Sequence, residues 1–283
     1  MPELPEVETI VRRLRNGSSI FPPVPGHTIQ DVIINWDKII APPENPKSFK
    51  HQLVGKTILD VRRRGKFLHF PLDDGHLIGH LRMSGDMRME SRISEQGTPL
   101  SLQAYDQVVI NFKAPWRLVF VNVRKFGRMY VTRDPQSIFG DLGPEPLDPE
   151  FSVERFSKKL HSHSRQIKPL LLDQGFIAGL GNIYTDEALF RAKIHPLRKS
   201  DSLSGQETQQ LHHAIQAVLR EGIVQFGASL DWVYRGGEFQ NYFKVYGREE
   251  EPCPNCGSSI KKISVGQRGT HFCPQCQIPP AEL

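Results

Sequence analysis

Apolar and polar positions alternate with a period near two through much of the first half of the chain, the spacing of strands with one face buried and one face wet. Runs of this kind occupy residues 28–35, 57–63, 67–70, 76–83, 107–112, 117–121 and 128–132, each bounded by Gly, Pro, Asp or Asn. So many short strands in one region predict an antiparallel sandwich or barrel. Ahead of them, Val7, Ile10, Val11 and Leu14 recur at i, i+3, i+4 and i+7, which predicts an amphipathic helix lying against that structure. Pro5 and the early glutamates suit its first turn. Pro135, Gly140, Gly143, Pro144, Pro146 and Pro149 interrupt both periods and predict a linker. Beyond it the period turns helical, most clearly at Leu211, Ile215, Val218 and Leu219. The expected fold is therefore α+β, with an N-terminal β-sandwich domain over 1–133, a linker over 134–149, a helical domain over 150–244 and a terminal segment over 245–283.

That last segment carries the clearest chemistry. Cys253-Pro254-Asn255-Cys256 and Cys273-Pro274-Gln275-Cys276 are two C-x2-C pairs separated by sixteen residues, a spacing suited to one four-thiolate zinc site. Two disulfides are the weaker reading, since no secretory signal precedes these four cysteines, the whole complement of the chain. Four thiolates leave the metal no open position, so the zinc is expected to be structural, holding a hairpin with too few apolar residues for a core of its own.

Composition narrows the partners. The 283 residues carry a formal charge of +5, and no apolar run approaches the ~18 residues of a membrane span. The positive charge is localised: Lys113, Arg117, Arg124, Lys125, Arg128 and Arg133 follow one another without an acidic residue between, and Arg62, Arg63, Arg64 and Lys66 form a second cluster. A polyanionic partner fits such clusters, although basic strand faces are also commonly just solvated.

The other end holds a candidate nucleophile. Removal of Met1 leaves Pro2 as a terminal secondary amine, and an α-amino group with a pKa of about 7.7–8.0 is partly neutral near physiological pH. Attack on an aldehyde-like sugar carbon would give an iminium, an electron sink. Glu3 is the nearest acid or base, with Glu6 and Glu8 close behind.

The opening Met1-Pro2-Glu3-Leu4-Pro5-Glu6-Val7-Glu8-Thr9 resembles that of the formamidopyrimidine-DNA glycosylases. The resemblance extends to Arg64-Gly65-Lys66-Phe67, to the stretch from His80 to Gly85, to Val123-Arg124-Lys125-Phe126-Gly127, to the glycine turn Ala178-Gly179-Leu180-Gly181-Asn182, and to the zinc hairpin, so it spans the chain. It implies a bifunctional base-excision enzyme that acts on oxidised purines such as 8-oxoguanine and formamidopyrimidines in double-stranded DNA, followed by β,δ-elimination through a Pro2 iminium. It also implies that Glu3 moves protons, that Lys66 assists β-elimination, and that Met83, Arg124 and Phe126 fill the gap left by an everted nucleotide, the apolar pair facing unstacked bases. Lys168 and Asn182, flanking a helix-two-turns-helix element whose exposed amides could also serve, are implied to contact phosphate. Arg268 at the hairpin tip becomes a phosphate ligand and the residue credited with the δ-elimination proton, although a guanidinium is a poor donor near neutral pH. Residues 236–241 look like the loop that covers the flipped base. Tyr105-Asp106-Gln107 departs from the family, where a His-Asp-His run is frequent, which leaves Tyr105 as the candidate contact there.

A monomer in the cytoplasm, associated with the nucleoid when bound to DNA, is the expected setting. Two alternatives remain. An endonuclease VIII-type glycosylase for oxidised pyrimidines shares the terminal proline and the finger, but usually has Gly where this chain has Leu4. A non-catalytic zinc-ribbon DNA-binding protein would have no use for Pro2, Glu3 and Lys66 together. A zinc-dependent hydrolase is excluded by the saturated thiolate set.

Overall fold

The computed structural model describes residues 1–94, 96–229 and 236–279. Helix α1 (Leu4–Asn16) forms where the apolar spacing places it, and Val7, Ile10, Val11 and Leu14 are all buried. They join the core of a two-layer β-structure. Its strands are β1 (Ile29–Ile34), β2 (Arg62–Arg64), β3 (Phe67–Pro71), β4 (His76–His80), β5 (Gly85–Ser91), β6 (Asp106–Phe112), β7 (Trp116–Asn122) and β8 (Arg128–Thr132), with helix α2 (Pro46–Leu53) between β1 and β2. They form two antiparallel sheets, of order β1-β6-β7-β5 and β2-β3-β4-β8. Val108, Ile110, Phe112, Leu118 and Phe120 of the first share one core with Leu68, Phe70 and Leu77 of the second, which makes this a sandwich.

The structure departs from the strand pattern at three places. Over 57–63 only Thr57 and Ile58 make isolated bridges, and the ladder begins at Arg62. The run over 76–83 stops at His80, because Arg82 (φ 51°) and Ser84 (φ 62°) turn the backbone into the left-handed region. Strand β5 was not expected from the sequence: its inward residues are Met87 and Met89, which lack the β-branched or aromatic character that marks a strand. Helix α2 was also missed, although Asn45 accepts a hydrogen bond from the Ser48 N–H as its N-cap and Pro46 opens it.

The chain divides into two compact units. One is built chiefly from Met1–Pro2 and Glu6–Gly140, the other from Glu3–Pro5, Asp141–Ala228 and the chain from Gly237 onward. The stretch expected as a linker carries a short helix, α3 (Gln136–Phe139), whose Phe139 packs edge-on against Phe67 and His69 in the first unit. The second unit holds α4 (Val153–His161), α5 (Ile167–Leu172), α6 (Asn182–Arg191), α7 (Gly205–Val224) and a hairpin of β9 (Lys261–Val265) and β10 (Arg268–Phe272). Helix α7 starts at a full capping box formed by Ser204 and Glu207, and Leu211, Ile215, Val218 and Leu219 line its buried face. Leu4 belongs to this second core, an assignment the four-residue spacing of α1 does not include.

Candidate functional site

In the second unit the site is organised by the amino end of α6. Gly181 is its N-cap, and the amides that a helix start leaves without internal partners converge on one carboxylate, that of Glu3. Glu3 Oε2 accepts from Gly181 N–H at 2.7 Å and from Tyr184 N–H at 3.4 Å, while Oε1 accepts from Ile183 N–H at 3.0 Å. The expectation that these amides are exposed to phosphate is therefore corrected, since a buried glutamate occupies them. Negative charge at a helix N-terminus is the favoured arrangement.

The two glycines of the turn are explained by the same contact. A Cβ on Gly181 would lie 2.3 Å from Glu3 Cδ, and one on Gly179, at φ +93°, would lie 2.7 Å from Leu4 Cδ1. Leu4 N–H also donates to Gly179 O at 3.1 Å. The turn is thus a seat for Glu3 and Leu4. Gly181→Ala is expected to displace Glu3 and to destabilise the protein by about 1–3 kcal/mol, the usual cost of overpacking. Thermal unfolding and lesion cleavage measured together check this, and an unchanged melting temperature with full activity would contradict the seat.

Lys168, expected at a phosphate, is instead wholly buried. Its Nζ donates to Asp186 Oδ1 at 2.6 Å and to Gly269 O at 3.0 Å. Burial lowers its pKa below the ordinary lysine value, with Asp186 the chief opposing influence. Asn182 Nδ2 donates to the same Gly269 carbonyl at 2.9 Å, and His271 N–H donates to Asp186 Oδ2 at 2.9 Å. Through these bonds α5 and α6 hold the β9–β10 hairpin, at whose turn Gln267 takes φ 61° and the Arg268 side chain is exposed. Next along α6, Glu187 accepts from the N–H groups of Lys244, Val245 and Tyr246. Burial raises its pKa in spite of those donors. Neither Asp186 nor Glu187 was singled out from the sequence, because nothing local marks a carboxylate whose partners lie 18 to 85 residues away.

The four cysteine sulfurs of the hairpin lie within 4.8 Å of one another, with Cys253 and Cys276 3.9 Å apart and Cys256 and Cys273 3.5 Å apart. A tetrahedral zinc with Zn–S bonds of ~2.3 Å places its sulfurs at about 3.8 Å, so the donor set fits one structural ion. Burial and the neighbouring sulfurs push the Cys276 thiol up to about 12, the conflict that a bound dication resolves.

In the first unit the segments that carry four candidate residues are linked by one residue that sequence reasoning missed. Asn122 is fully buried, its Nδ2 donates to Leu81 O at 3.1 Å, and its Oδ1 accepts from Gly127 N–H at 3.0 Å. Its own N–H donates to Tyr105 O at 3.0 Å. The loop bearing Met83, the loop bearing Arg124 and Phe126, and the end of the segment bearing Tyr105 are thus tied together. Arg124 Nε adds a bond to Ser84 Oγ at 2.7 Å. Phe126 is 54% exposed, Met83 39% and Tyr105 43%, which gathers exposed apolar surface on the three segments that Asn122 ties together. Lys66 is buried near His80, whose imidazole is held neutral, its pKa lowered to about 3 by burial, with Arg82 and Lys66 contributing. Pro2 is also buried.

Part of the basic sequence clusters is spent internally. Arg63 pairs with Glu8, which also holds Arg12, and the buried Arg117 pairs with Glu90. Arg124 and Lys125 remain exposed.

Known family profiles match the chain over residues 1–129 (formamidopyrimidine-DNA glycosylase N-terminal domain), 142–231 (formamidopyrimidine-DNA glycosylase H2TH domain) and 250–278 (zinc finger found in FPG and IleRS). A formamidopyrimidine-DNA glycosylase of Geobacillus kaustophilus is 43% identical over 98% of this chain and 100% of its own length. Among solved structures, Lactococcus lactis Fpg bound to DNA containing an abasic site superposes with a TM-score of 0.87 at 36% identity, covering 98% of this chain and 100% of that one. The wild-type Lactococcus lactis protein bound to DNA containing N7-benzyl-Fapy-dG gives 0.87 at 37% identity with the same coverage.

Proposed function

Because the chain belongs to the formamidopyrimidine-DNA glycosylase family, we propose that it initiates base-excision repair by removing oxidised purines from duplex DNA and then cleaving the abasic strand. The observation that carries the mechanism is the anchoring of Glu3 by three backbone N–H groups at the start of α6. That anchor fixes the chain one residue from the Pro2 nitrogen, and a pre-positioned nucleophile saves the entropy of orienting it.

The Pro2 nitrogen forms a bond to C1′ of the damaged nucleotide as the glycosidic bond breaks and the base leaves with its electron pair and a proton. Opening of the sugar gives an iminium between Pro2 and C1′. The iminium acidifies the C2′ hydrogen, and β- then δ-elimination release the two flanking phosphates. Held by the amides at the start of α6, Glu3 chiefly positions Pro2 and handles a proton during sugar opening and base release. Lys66 assists elimination. Met83, Arg124 and Phe126 enter the space left by the everted nucleotide, with Tyr105 and Asn122 supporting their loops. Asn182 and Arg268 hold backbone phosphate, and Lys168 positions them through Gly269. The protein acts as a monomer in the bacterial cytoplasm, at the nucleoid.

Incision of a duplex panel tests this reading. Substrates with 8-oxoguanine, a formamidopyrimidine or an abasic site are expected to be cut to products phosphorylated at both ends, faster than those with oxidised pyrimidines. The reverse ranking supports the endonuclease VIII-type alternative, and tight binding without incision supports a non-catalytic protein. Phe126→Ala is expected to slow excision from duplex by about 10–100-fold while sparing cleavage at a preformed abasic site, since it removes only the wedge. Equal losses on both substrates would assign Phe126 to the fold.

A further inference from the structure

The basic run that begins at Lys113 divides in space. Arg124 and Phe126 follow the carboxyl end of β7, whereas Lys113 lies in the turn before its amino end. Seven residues of strand at about 3.3 Å each separate the two ends by roughly 20 Å. At the Lys113 end, residues 99–102 lie over one face of the β1-β6-β7-β5 sheet and border an open cavity of about 620 Å³, whose walls include Ile33, Arg92, Ile93, Leu102, Asn111 and Lys113. Arg117 builds this border, donating to Leu100 O and Ser101 O while Glu90 matches its charge.

The side chain that sets this cavity apart is Asn111. It is 8% exposed, on a strand paired on both sides with a register irregularity in β1 beside it; its amide makes no hydrogen bond with any described residue, and the amide atoms still reach solvent through the cavity. An amide held in place by the strand and wetted only through the cavity can exchange its water for the polar groups of a ligand. Around it, Lys113 has no carboxylate within ion-pair distance among the described residues, and Arg92 donates only to the neutral Gln30 Oε1 and Phe112 O. Arg92 also acts on the charge of Asp31, which Lys50 already holds at 2.6 Å. Ile93 and Leu100 at the rim are each 42% exposed.

We propose that this cavity is a docking site for an acidic peptide segment carrying an apolar side chain, separate from the surfaces that handle DNA. The apolar side chain fills the hollow between Ile33, Ile93 and Leu102, flanking carboxylates meet Lys113 and Arg92, and the Asn111 amide takes a backbone carbonyl and N–H of the peptide. The volume lies within the ~300–1,000 Å³ of ligand-sized pockets. A phosphodiester backbone matches the charge but has no apolar group for the walls and no need of a hollow, so a peptide is the better fit.

Fluorescence anisotropy of a labelled hexapeptide of aspartates with one leucine and one phenylalanine, titrated with the zinc-loaded full chain, tests the site. Saturable binding is expected, weakened at least about tenfold by Lys113→Glu and by Asn111→Leu, with melting temperature and lesion cleavage of Lys113→Glu unchanged. Replacing the aspartates by asparagine, or the apolar pair by serine, should each abolish it. Absence of binding at millimolar protein, equal binding of the control peptides, or indifference to both variants would overturn the proposal. Displacement of the peptide by lesion-free duplex would overturn it as well, by making the cavity part of a nucleic-acid surface.

Discussion

Sodium borohydride added to the protein and a duplex carrying 8-oxoguanine is expected to yield one covalent protein–DNA product, with the cross-link at Pro2. The reasoning needs only two groups: a free secondary amine, present once Met1 is removed, and the carbon exposed when the base departs. Hydride reduces the iminium to a stable tertiary amine, so the link survives denaturation and peptide mass assigns it. Blocking the terminus should abolish trapping and lower excision by roughly 10³-fold or more, the scale on which losing a nucleophile acts. Pro2→Gly keeps a terminal amine and should retain some trapping. A cross-link on Lys66, or efficient trapping by protein that retains Met1, would reassign the nucleophile. Glu3→Ala gives a related result by a different route: the α6 amides lose their acceptor, so both stability and the rate of trapping should fall.

The Glu3 anchor also marks where sequence reasoning stops. Periodicity places α1, most strands and α7 because each depends on residues a few positions apart. It equally finds Pro2, the glycine turn and the cysteine pairs, which are local patterns. It cannot show that the turn and the terminus are partners, because Glu3 and Gly181 lie 178 residues apart. The glycines therefore read as room for a phosphate, when the Cβ distances show room for a glutamate. Lys168 was misread for the same reason. A lysine beside a glycine turn looks like a free cation until Asp186 and Gly269 are seen to enclose it. Asn122 gave no signal at all, since its importance lies in three loops that only the folded chain brings together.

Loss of the metal should separate DNA binding from chemistry. Structural zinc contributes on the order of 10 kcal/mol to small domains of this kind, and the hairpin has little else of its own. Its apolar cluster is Phe190, Val245, Cys253, Ile260 and Cys273, two of them zinc ligands. Cys253→Ser, or prolonged chelation, is therefore expected to unfold the hairpin while the core that contains α6 and α7 persists. Arg268 then leaves its place, and the Gly269 carbonyl is lost to both Lys168 and Asn182. Lys168 keeps its pairing with Asp186, so the loss should fall on phosphate recognition more than on stability of the helices. Affinity for a lesion duplex should drop by on the order of 100-fold with a shallower salt dependence, because fewer phosphates are neutralised. Pro2 and Glu3 are untouched, so borohydride trapping should recover at protein concentrations high enough to saturate the DNA. Normal affinity with trapping abolished would place the zinc in the chemistry and refute a structural role.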